Sequence, residues 1–266
     1  MYDHYKALKI EKRGAILVVM LDNPPTNASY PGMHTELAEV FQVVNRDDAT
    51  KVVLLTGAGE KAFSAGGDIK RMLERIETRD HASLLASLRE GKEIIYSMLR
   101  LEKPLIARIN GHAIGLGASL AVMSDFSYMI ESANIGDTHV KVGLTAGDGG
   151  AFMWPMLIGF SKAKRYLMTG DLMTGKEAAE IGLITGTAAT HAELDELCYG
   201  MADRLAKGAT LAINSTKMAI NLLLRRSLEG VMEAHLGAET ATFLSKDHHA
   251  AAKAFANKEQ PVFTGE

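Results

Sequence analysis

Two short apolar runs, KVVLLTG (51–57) and PLIARIN (104–110), constrain the fold more than anything else in the chain. Both are too short for a buried helix and end at a glycine or an Asn-Gly pair, as strands buried on both faces do. A glycine-bearing turn and a helix start follow each of them: AFSAGGDIK after the first and GHAIGLGASLAVMSD after the second. ALKIEKRGAILVVMLD reads as two further strands joined at Lys12–Gly14, and FSYMI as another. PPTNAS is a loop, because two prolines and an asparagine do not continue a strand. Helical spacing runs through Met33, Leu37, Val40, Phe41 and Val44, and a longer amphipathic stretch covers 81–101 before Pro104 stops it. AFMWPMLIGFSKAKRYLMTG is helical in two pieces, and TGKEAAEIGLI is a short helix followed by a strand. From about Asp195 the pattern is helical throughout. The chain is therefore α/β, with a core over 1–195 and a helical region over 196–266.

Composition excludes several classes of function. Lys+Arg 29 against Asp+Glu 32 leaves a net charge of −3 in 266 residues, which gives no footprint for nucleic acid or an anionic membrane. Cys198 is the only cysteine, so no internal disulfide forms and a reducing compartment is expected. The N-terminal stretch has no apolar signal region, and no run approaches the roughly 18 apolar residues of a membrane span. A cytoplasmic protein is expected. No His/Cys/Asp spacing argues for a metal site, and none is expected.

The glycine turns carry the chemistry. Helix N-termini present unpaired N–H groups and partial positive charge, so two such turns meeting at one point would hold an oxyanion. Taken singly, each turn reads first as an ordinary strand-to-helix connection with glycines at its caps. HVKVGLTAGDGG (139–150) adds His139 and Asp148. Histidine titrates near neutrality and serves as acid or base, and a neighbouring carboxylate fixes its tautomer. Asp148 reads either as such a partner or as the N-cap of a helix starting near Gly149. His139 reads either as a working group or as a half-buried histidine on a strand edge. Asp68 reads as the cap of the helix starting at Ile69, and His34 as lying on a helix face against the core.

AFSAGGDIK and INGHAIGLGASLAVMSDF resemble the two signature segments of the enoyl-CoA hydratase/isomerase (crotonase) family. LTAGDGGAFMWPMLIGFSKAKRYLMTGDLMTGKEAAEIGLI is similar to its third block, LDNPPTNAS to its opening and DHHAAAKAFANKEQPVF to its close. The resemblance covers essentially the whole chain. It implies a spiral of ββα turns, with C-terminal helices that assemble a homotrimer or a dimer of trimers. It also implies an acyl-CoA thioester as substrate, coenzyme A being part of that substrate and no cofactor tightly bound. The implied oxyanion donors are the N–H groups of Gly67 and Leu116. Ala28, Ala65, Gly66, Asp68, Ile69, Gly115 and Ser119 are the implied substrate-binding positions. Lys258 matches a position that approaches the nucleotide.

This chain departs from the family pattern at the proton-transferring positions. Ser119 and His139 stand where the family's hydratases carry two glutamates, and a serine hydroxyl is no carboxylate base. HVKVGLTAGDGGAFMWP, with His34, also resembles the family's β-diketone hydrolases (the 6-oxocamphor hydrolase-like group), although Gly117 replaces a histidine found there. Three readings follow: a hydratase or isomerase using His139 and Asp148, a cofactor-free retro-Claisen C–C hydrolase, or a non-catalytic relic that binds CoA ligands.

Overall fold

A computed structural model describes residues 1–266. Strands β1 (Leu8–Arg13) and β2 (Ile16–Leu21) form an antiparallel hairpin at the edge of a large sheet. The turn between them uses Gly14 at φ 60°, in the left-handed region that favours glycine. Helix α1 (Pro31–Asn45) buries Met33, Leu37, Val40, Phe41 and Val44, the five positions given by the 3.6-residue period.

From there the chain winds in ββα turns. Strand β3 (Val52–Gly57), buried at every position, is followed by β4 (Ala62–Ser64) and α2 (Ile69–Glu77). The long helix α3 (His81–Arg100) leads to β5 (Leu105–Ile109), β6 (His112–Ile114) and α4 (Leu116–Val122). The next turn supplies β7 (Phe126–Ile130), β8 (Asn134–Gly136) and one 3-10 turn, His139–Val142. The first strand of each turn joins the large sheet, in the order β1-β2-β3-β5-β7-β10 with β10 at Gly186–Ala188, and the second joins a small one, β4-β6-β8-β9 with β9 at Met173–Thr174. Strands β4, β6 and β8 run parallel in the small sheet. Their C-terminal ends therefore lie side by side, and each end leads into a loop. This juxtaposition positions the site.

Helices α5 (Gly150–Ile158) and α6 (Phe160–Thr169), then β9 (Met173–Thr174), α7 (Gly175–Glu180) and β10 (Gly186–Ala188), complete the spiral. Helix α8 (His191–Ala206) crosses the expected boundary at 195 and packs on β2, β3, β5, β7 and β10. The core thus continues through α8. Helices α9 (Thr210–Glu229), α10 (Met232–Phe243) and α11 (Lys246–Asn257) make up the C-terminal layer. Helix α9 is tied down by buried Lys217, which donates to the Asp125 carboxylate at 2.7 Å and to the Lys103 carbonyl at 2.8 Å. No helix is long and apolar enough to cross a membrane.

Strands β4, β6, β8 and β9 are absent from the sequence reading because each has only two or three residues. Such segments show no readable period and depend on their neighbours for hydrogen bonds.

Candidate active site

The loops after β4, β6 and β8 carry, respectively, Ala65–Asp68, Gly115 and Asp137–Thr138. Two of them pass backbone against backbone. Gly66 sits at φ 77°, and a Cβ there would come 2.7 Å from the Ile114 carbonyl oxygen, so the close approach requires glycine. Gly67 forms a bridge with Ser29, in which Ser29 N–H donates to Gly66 C=O and Asp68 N–H donates to Ser29 C=O. Neither bond uses the Gly67 amide. Leu116 is the first residue of α4, where an N–H has no intrahelical acceptor. Gly67 and Leu116 both line one small chamber, together with His139, Asp148, His34 and Glu239.

His139 is held by two acids in different ways. Its Nδ1 lies 2.6 Å from Asp137 Oδ1, which also accepts the His139 backbone N–H at 3.2 Å. Asp137 is 2% exposed, and Gly150 makes room for it: a side chain there would begin on the Asp137 Oδ2 atom. Across the ring, Nε2 is 3.6 Å from Asp148 Oδ2, beyond hydrogen-bond range. The Ser119 hydroxyl donates to Asp148 Oδ1 at 3.2 Å. Asp137 therefore fixes the tautomer, the role expected of Asp148, while Asp148 and Nε2 face each other across a gap.

Electrostatics separates the protonation states. Burial alone would lower the His139 pKa, but the Asp137 and Asp148 carboxylates overcome it and hold the imidazole well above its usual range. Burial raises Asp148, partly offset by the His139 charge. Burial, reinforced by Asp148, pushes Glu239 up to about 8. Burial and then the Arg75 guanidinium bring His34 down to about 4. Near neutral pH the chamber thus favours a charged His139 imidazole beside a neutral His34 imidazole and a protonated Glu239.

The chamber opens into a cleft of about 450 Å³ that shares Gly67, Met72, His139 and Leu144 with it. Ala28, Ala65, Gly66, Asp68, Ile69 and Gly115 line the cleft, so these expected binding positions fall together. Ser119 acts from behind Asp148 instead. Lys258 caps α11 in the left-handed region and lies outside the cleft wall, which Phe255 reaches from the same helix.

Three local expectations change. Asp148 caps nothing: the cap position of α5 is Gly149, with no side-chain bond. His139 opens a 3-10 turn and is not on a strand. His34 leaves the core face of α1 and lines the chamber. Asp68 does cap α2, accepting from the N–H groups of Lys70 and Arg71. Sequence reasoning missed Asp137 and Glu239. Asp137 is legible in hindsight as the acid two residues before His139, whereas Glu239 sits in α10 with no local motif. Asp137, His139 and Asp148 bring possible ligand atoms within 4.8 Å of one another, a cluster the spacing of the sequence does not suggest. An ion there would have to open the 2.6 Å contact between His139 and Asp137.

Comparison with known proteins agrees with this architecture. The profile of the enoyl-CoA hydratase/isomerase family matches residues 11–266. Crotonyl-CoA hydratase of Syntrophomonas wolfei is 30% identical over 262 residues, covering 97% of this chain and 98% of that protein. (E)-benzylidenesuccinyl-CoA hydratase of Thauera aromatica is 32% identical over 260 residues, covering 96% and 98%. The crystal structure of an enoyl-CoA hydratase/isomerase from Mycobacterium paratuberculosis superposes with a TM-score of 0.87 at 32% identity, covering 93% of this chain and 97% of that one. The chain belongs to the enoyl-CoA hydratase/isomerase family.

Proposed function

We propose that the protein is an acyl-CoA lyase or isomerase in which His139 and Asp148 replace a glutamate pair. One observation supports this reading: Gly67 and Leu116 line one chamber with His139 and Asp148, and that chamber adjoins a cleft. The cleft suits the narrow arm of a thioester, and the chamber suits its carbonyl and α and β carbons.

In the hydration direction, the thioester oxygen accepts from the Gly67 and Leu116 N–H groups. A water on the chamber side of the pair, bridging His139 Nε2 and Asp148 Oδ2 from beside them, gives a proton to Asp148 as its oxygen adds to the β carbon. The π electrons move onto the carbonyl oxygen, forming an enolate that the two amides stabilise by several kcal/mol. The His139 Nε2–H then protonates the α carbon. Passing the proton from Asp148 to His139 resets the couple. Asp137 holds the ring throughout and touches no substrate. Exposed Leu211, Ile220, Leu222 and Leu223 leave apolar surface on α9 for a neighbouring copy to cover, as a homotrimer or dimer of trimers would.

The test is loss of enoyl conjugation across a series of enoyl-CoA esters, with His139→Gln as control. No binding or turnover of any CoA ester would reject the reading. A second reading, water attack on a β-diketone with C–C cleavage, is favoured by His34 and Glu239, which line the same chamber. Turnover of diketones alone would select it.

A further inference from the structure

Beyond the chamber lies a second cavity of about 240 Å³, between α2, the start of α3 and the junction of α10 with α11. Met72 and Phe243 line both spaces and form the wall between them. The cavity has an apolar floor, Ile76 and Leu84 among it, and a basic rim of Arg75, Arg79 and Lys246. Asp80 is the only acid in its wall, and its carboxylate is engaged in capping α3 through the Ser83 N–H. Lys246 is paired with Glu266.

Arg75 is the informative residue. Its half-buried guanidinium has no hydrogen-bond acceptor and no ion-pair partner among the side chains. It lines both this cavity and a small pocket shared with His34 and Gly67, so it reaches from the rim to a space adjoining the reaction chamber. A second observation is independent of it. His248 is fully buried and lines the cavity, its Nδ1–H donates to the Val142 carbonyl at 2.7 Å, and its Nε2 has no partner. A half-buried free guanidinium and an orphaned imidazole nitrogen over apolar walls are an incomplete set of contacts.

The geometry points to a subsite for a carboxylate on the acyl end of the substrate remote from the reacting carbonyl. The substrate class is then a half-thioester of a dicarboxylic acid. The carboxylate would accept from Arg75, the fork that suits its two oxygens. Burial, and after it the Arg75 charge, hold His248 toward its neutral form, and a carboxylate beside Arg75 would offset the second of these. Met72, an unbranched thioether whose methyl lies where a side chain on Gly67 would begin, is the movable part of the wall that lets an acyl chain through. The assignment rests on the carbonyl binding at Gly67 and Leu116, as proposed above.

The test compares enoyl-CoA esters of equal length with and without a terminal carboxylate, on wild type, Arg75→Gln and Arg75→Lys. Loss of a charge-assisted bond predicts that Arg75→Gln lowers kcat/KM for the carboxylated ester by about 10- to 100-fold, and for the neutral ester by less than about threefold. Arg75→Lys should restore part of the preference. In parallel, calorimetry with monomethyl and dimethyl esters of diacids from succinate to suberate needs no CoA and no turnover. Wild type should favour a half-ester, and Arg75→Gln should erase that preference. Equal losses for charged and neutral ligands, or no preference in wild type, overturns the subsite. If the half-ester preference holds and is lost in Arg75→Gln while no CoA ester is turned over, the subsite stands and the acyl-CoA reading falls.

Discussion

Glu239→Gln isolates the electrostatic cost built into the chamber. Glu239 is 5% exposed, and its Oε2 has no hydrogen-bond partner. Burial, reinforced by the Asp148 charge, raises its pKa from 4.5 to about 8. Below pH 4.5 the group is protonated whether the chain is folded or not, so it contributes no pH dependence. Above that value the unfolded chain releases the proton and the folded one keeps it, so stability falls as pH rises until the folded group ionises near 8. At 1.36 kcal/mol per pH unit, the accumulated cost is on the order of 5 kcal/mol. Glutamine has the same size and no proton to lose. Urea denaturation of both proteins should give similar stabilities at about pH 5 and a variant more stable by several kcal/mol at about pH 9. Parallel pH profiles for the two proteins would refute the placement of a proton on Glu239.

Three other substitutions probe the site. Asp137→Asn should cut kcat by roughly 10²- to 10⁴-fold, because an amide at 2.6 Å from Nδ1 no longer enforces the tautomer, and should lower the His139 pKa in an NMR titration. It should also remove the part of the folding stability that wild type holds below the unfolded histidine pKa and loses as pH rises through the elevated folded value. Leu116→Pro removes one proposed oxyanion donor at a position where a helix needs no N–H, so circular dichroism should be preserved while kcat falls about 10²- to 10³-fold. Ser119→Ala removes the hydroxyl that lowers the Asp148 pKa, so the acidic limb of the kcat/KM profile should move to higher pH.

What the sequence made legible follows from the range of the interactions involved. Helix α1 was readable to its five core positions because its face is set by spacing alone. The strands of the large sheet were readable because burial on both faces makes a continuous apolar run. The small sheet was not, since β6 and β8 exist through parallel pairing of Ala113 with Ile135 and Ile114 with Gly136, residues far apart in the chain. The same limit governed the site. His139 and Asp148 stand close enough in sequence to be considered together, yet which acid holds the ring depended on a loop geometry in which Asp137 wins. Glu239 reaches the chamber only because α10 folds back against Gly147, where a side chain would begin 2.6 Å from its carboxylate.

Deuterium uptake at the α carbon of a saturated acyl-CoA, followed by mass spectrometry in D2O, reads enolate formation at the chamber without hydration or bond cleavage. The wild-type protein should catalyse exchange, and His139→Gln and Asp148→Asn should each slow it by about 10²-fold or more. An absence of exchange with wild type, or undiminished exchange in both variants, would contradict the account.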